Sequence, residues 1–234
     1  AKAHIMTEMR AGQELLLIGI PGLLGTRTLL ESREEELCRR FSRRYLREER
    51  RKLERLPLLS FREDRIMACG LLLHRKDRRA VTLYEKDLIA KENAGEIFPG
   101  ELGDLIPGYA KDYGLSALIS VEDGGVLDAI WRLCEGKKGG RSFGCRFSYG
   151  KIPFLSLSIE LCELFSQNPF RLPSGNCCLM ALERGYALSE KLGQCGVRSS
   201  VIGSLSEDRK RLRTDGIAAS FLTKGEVPNL FSGR

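Results

Sequence analysis

Residues 13–20 (Gln-Glu-Leu-Leu-Leu-Ile-Gly-Ile) form a short apolar run that Pro21-Gly22 interrupts, which predicts a buried strand. A glycine-rich turn, Gly22-Leu23-Leu24-Gly25-Thr26, follows it. From Thr28 to Leu56 the apolar positions Leu30, Leu37, Cys38, Phe41, Tyr45 and Leu46 recur at three- and four-residue spacing. That period predicts one amphipathic helix with charges on its other face. Glu34–Glu36 precede Arg39-Arg40, and Glu48-Glu49 precede Lys52, so i,i+4 ion pairs of the favoured polarity are available. Residues 57–113 are the least regular stretch. Strands are expected at 66–73 and 80–84, around a charged turn that includes His74.

The pattern sharpens after Gly114. Leu115–Val121 predicts a strand, Glu122–Gly125 a turn, and Val126–Cys134 a helix closed by Lys137-Lys138-Gly139-Gly140. Ser142–Tyr149 alternates strictly, with Phe143, Cys145, Phe147 and Tyr149 on one face of a half-buried strand. A helix over 155–165, a strand over 177–182, a helix over 184–195 and a strand over 197–203 come next. Leu212–Asp215 and Ile217–Leu222 read as a terminal hairpin turning at Asp215-Gly216. Together these predict an α/β (α+β) domain, a mixed sheet flanked by helices, over residues 1–223 with an insertion at 57–113 and a loose tail at 224–234.

Composition narrows the class. No run approaches the roughly 18–20 apolar residues a membrane span needs, and the N-terminus lacks a signal-peptide pattern. A soluble, cytoplasmic protein is expected. The eight cysteines show no C-x-x-C spacing and there are two histidines, so reduced, packed thiols are expected and no metal site. The net charge is +7, and residues 33–55 carry ten basic residues against six Glu, or +4. Such an excess favours anionic partners, although the ordinary role of this face is solvation.

No Walker loop, H-E-x-x-H or G-x-S-x-G motif occurs. The segment Ser120-Val121-Glu122-Asp123-Gly124-Gly125-Val126-Leu127-Asp128 instead resembles a stretch of the aminoimidazole ribonucleotide (AIR) synthase-related superfamily, where Asp-Val-Thr and a glycine pair precede a helix. Lys151-Ile152-Pro153, Asn168-Pro169-Phe170-Arg171-Leu172-Pro173-Ser174-Gly175 and Ala187–Gly203 follow the order of that family's C-terminal domain. Met9–Glu14 and Gly22–Thr26 resemble its opening. The superfamily includes AIR synthase, a hydrogenase maturation factor, selenophosphate synthetase and thiamine phosphate kinase.

The resemblance implies glycine loops that approach a ligand, with ATP and Mg held mainly by an acidic N-terminal domain that has no counterpart here. The candidate ligand- or phosphate-binding residues are Gly22, Gly25, Thr26, Glu122, Asp123, Gly124, Gly125, Ser174 and Gly175. Unpaired N–H groups and the helix dipole at Gly124-Gly125 suit an anion. Two departures oppose this. Ser120-Val121-Glu122 stands where the family has Asp-Val-Thr, which sets Glu122 beside Asp123, and the acidic metal-binding domain has no counterpart in this sequence. The cysteine that ends the family's maturation factor also has no match after Cys195. Three functions are therefore expected in order. The first is a ligand-binding or partner module, dimeric or paired with an N-terminal-type domain. The second is an ATP-dependent enzyme completed by a partner chain, and the third a nucleic-acid binder using the Arg33–Arg55 helix.

Overall fold

The computed structural model describes residues 3–54, 56, 110–136, 140–175, 177–194, 196–215 and 219–224. The expected insertion up to residue 109, Lys137–Gly139, Gly216 and the tail beyond Lys224 lie outside these described residues.

The strands are β1 (Ala3–Met6), β2 (Glu14–Ile18), β3 (Ala117–Ser120), β4 (Gly144–Phe147), β5 (Cys178–Leu182), β6 (Ser199–Ser206), β7 (Arg211–Arg213) and β8 (Ser220–Phe221). They form one mixed sheet in the order β1-β3-β5-β2-β6-β4-β7-β8. Every neighbouring pair is antiparallel except β4 and β7. The central strand β2 is apolar and buried from Leu15 to Ile18 because both of its faces are covered. Leu15 and Leu17 point into one core and Leu16 and Ile18 into the other.

Helix α4 (Gly125–Glu135) closes the first core with Val126, Ala129, Ile130 and Leu133. Helix α6 (Gly185–Gln194) closes the second with Leu188 and Leu192. A third cluster gathers α1 (Leu23–Ser32), α2 (Glu34–Arg40), α3 (Arg43–Glu54) and α5 (Ser156–Leu164) around Leu29, Leu30, Leu37, Leu46, Leu157 and Leu161.

Four local expectations are corrected. The single helix expected from Thr28 to Leu56 is three helices, broken at Arg33 and at the extended Phe41. Ser42 starts α3 afresh, its Oγ accepting from Tyr45 N at 3.2 Å. Of the expected pairs Glu49–Lys52 forms, at i,i+3 spacing, whereas the other described pairs on these helices are Arg33–Glu36, Arg44–Glu48 and the interhelix Arg50–Glu34. Gly22–Thr26 is not a turn of its own. Gly22 caps α1 at φ 72°, and Gly25 and Thr26 lie within the helix. The terminal hairpin exists, but Arg213 pairs with Ser220, so six residues connect its strands instead of two. Helix α4 meanwhile ends at Gly136 (φ 70°), one residue before the basic pair.

Strand order has one consequence for function. β2, β3, β4 and β7 run in the same direction and finish at the same end of the sheet, where β5 and β6 begin. The loops around Gly22, Gly124, Tyr149, Ser174 and Asp215 all lie at that end.

Candidate functional site

At this end the start of α1 is fastened to residues 172–174. Gly22 N donates to Ser174 Oγ (2.9 Å), Leu24 N to Ser174 O (3.3 Å) and Gly25 N to Pro173 O (2.9 Å). Thr26 donates from both its backbone (2.9 Å) and its hydroxyl (2.8 Å) to Gly22 O, and its hydroxyl shares a 2.7 Å bond with Ser158 Oγ. Thr26, Ser158 and Ser174 are buried, so these bonds lie away from water. Glycine at 25 allows this close approach, since a Cβ there would stand 2.9 Å from Leu172 Cδ2 and 3.0 Å from Pro173 Cδ. Gly175, exposed at φ 74°, flanks Leu24.

The start of α4 is built differently. Gly124 (φ 87°) and Gly125 (φ 65°) take the left-handed conformation that glycine adopts readily, and Gly125 N donates to Glu122 O at 3.0 Å. A Cβ on Gly125 would meet Phe170 O at 2.5 Å and Arg171 Cα at 2.7 Å, so the turn Pro169–Arg171 lies directly against it. Asn168 sets that turn by accepting from Phe170 N at 3.0 Å. Glu122 and Asp123 are exposed beside it. One segment, 169–175, thus touches both helix starts. It brings Gly22–Thr26 and Ser174–Gly175 together and links both to Gly124-Gly125.

An aromatic and arginine cluster sits next to this segment, and the sequence reading did not single it out. Tyr149 stacks on Phe170 (centroids 3.8 Å, planes at 22°), and Phe154 meets the same ring edge-on at 5.1 Å. Arg213 lies over Tyr149 at 4.9 Å, and Arg171 donates to Thr223 O at 3.0 Å. Burial pushes the Tyr149 hydroxyl up, against the pull of Arg213 and Arg171. Asp215 accepts from Ser148 Oγ and Tyr149 N. Burial alone would raise its carboxyl, but those donors and the Gly150 amide hold it below the usual range. The strict alternation over 142–149 was the available signal for Tyr149. Arg213 sat unread inside a predicted hairpin arm, and Arg211 just before it.

Three buried thiols, Cys162, Cys177 and Cys178, are unsuited to nucleophilic work. Burial raises Cys177 and Cys178, and pushes Cys162 up to about 12. Among the described residues no group of three His, Cys, Asp or Glu could hold a metal ion. None of the helices among them is long and apolar enough to cross a membrane.

No family model matches the chain, and no curated protein matches it. Its fold does match solved structures of the hydrogenase maturation protein HypE. With E. coli HypE the TM-score is 0.54 at 16% identity, covering 97% of this chain and 54% of that one. A HypE–HypF complex gives 0.51 at 15% identity, covering 94% and 55%. HypE in complex with ATP gives 0.50 at 13% identity, covering 94% and 53%. The chain spans about half the length of the HypE chains it matches. At this identity the likeness is one of fold, the fold expected from the resemblance to the AIR synthase-related superfamily.

Proposed function

We propose that this chain, which carries the AIR synthase-related fold over about half the length of HypE, is a C-terminal-type module that works by joining a second polypeptide or domain. It has no ATP site of its own at the glycine loops. One observation carries this: amides that would cradle a phosphate at the start of α1 are bonded to Ser174 and Pro173. The start of α4 is overlaid by Phe170 and Arg171 and flanked by Glu122 and Asp123. Like charge there opposes phosphate unless a metal intervenes. The HypE–HypF complex and the ATP-bound HypE make a partner and a nucleotide reasonable at the level of the assembled protein.

A second reading keeps ATP and Mg on this chain, and is favoured by the meeting of the glycine loops at one sheet end. Calorimetric titration with Mg-ATP at physiological salt separates the two. The module reading expects no micromolar binding by the chain alone. Micromolar binding abolished by Gly124→Asp would overturn it in favour of an ATP-dependent enzyme.

A further inference from the structure

Strand alternation puts Arg211 and Arg213 on the same face of β7, about 6.6 Å apart along the strand. Their register partners are Cys145 and Phe147, so that face is the one α4 covers. Each guanidinium lies against an aromatic ring, Arg211 over Trp131 at 4.1 Å and Arg213 over Tyr149 at 4.9 Å. Both side chains are half-buried, and the Nε of each is buried without a hydrogen-bond partner.

The acids nearby have other partners. Asp215 is hydrogen-bonded by Ser148 and Tyr149 and feels the charge of Arg213 without a salt bridge to it, and Asp128 pairs with Arg132 at 2.6 Å. Glu135 accepts from Trp131 Nε1 at 2.7 Å, and Asp208 accepts from Ser206. The charge of Arg211 favours ionisation of the neighbouring Cys134 thiol, after the larger pull of the Cys145 bond. Among the described residues neither arginine forms a salt bridge. Two half-buried cations one strand repeat apart, each with a buried Nε lacking a hydrogen bond and neither in a salt bridge among the described residues, make a favourable place for an anion to join them. The planar guanidinium matches a phosphate fork, and the aromatic backing fixes its plane.

We infer that Arg211 and Arg213 form a binding site for a phosphate or diphosphate group of a small molecule. The site belongs to β7 and depends on neither the glycine loops nor the partner module proposed above. Trp131 is the only tryptophan in the chain and reports on Arg211 directly.

The test is titration of the full chain with inorganic pyrophosphate, without divalent metal and at constant ionic strength. Trp131 fluorescence is followed together with phosphorus NMR line width. Saturable binding is expected by at least one readout. It should weaken about tenfold or more in Arg211→Gln and in Arg213→Gln, and remain unchanged in Gly124→Asp. Absence of saturable binding by both readouts overturns the inference. So does binding that survives in the folded double arginine variant. Mg-ATP binding that resists Gly124→Asp but is lost in Arg213→Gln would support the arginine site and leave the glycine-loop reading rejected.

Discussion

At Gly25 the neighbours of a hypothetical methyl are Leu172 and Pro173, both buried and both part of the segment whose carbonyls hold the start of α1. Gly25→Ala must therefore push Leu172 aside or tilt the helix. A loss of about 1–3 kcal/mol is expected, read from urea unfolding midpoints. Gly193, where a methyl meets nothing, serves as the control and should gain or lose under about 1 kcal/mol. The glycines were legible in the sequence as special positions, but their reason was not. A glycine that admits a ligand and a glycine that admits Leu172 are the same letter, and only the partner segment distinguishes them. The arginines of β7 were hidden for a similar reason: their aromatic partners come from α4 and from the turn after β4, distant in sequence.

Among the helices, Tyr45 ties α3 to α5 by donating to Glu160 Oε2 at 3.0 Å. Burial and that bond push its hydroxyl up to about 12, from an ordinary value near 10. A raised pKa in the folded state means stability that is complete below about pH 10 and lost as pH rises towards 12. Thermal unfolding followed from pH 8 to pH 11 should show the native chain falling more steeply than Tyr45→Phe. Parallel curves would mean the bond contributes nothing. The breaks within residues 23–54 explain why one long helix was expected. Apolar spacing continues across Arg33 and Phe41, and neither break uses glycine or proline. Ser42, three residues before Tyr45, carried a cap signal that the surrounding charges obscured.

For the whole molecule, the strand and helix pattern after Gly114 was readable because its elements are short, apolar and separated by glycine or proline. Strand order was not, since pairing across the sheet leaves no local trace: β2 sits between β5 and β6, far from it in sequence. The gathering of loops at one end follows from that order and so could be stated only from the fold. The proposed role depends on the amides there being bonded within the chain. Native-state hydrogen exchange at Gly22, Leu24 and Gly25 measures this directly. Slow exchange in the free chain, matching the buried β2 amides and unchanged by added Mg-ATP, is the expected result. Fast exchange that becomes slow only when Mg-ATP is present would contradict the account and return the glycine loops to phosphate binding.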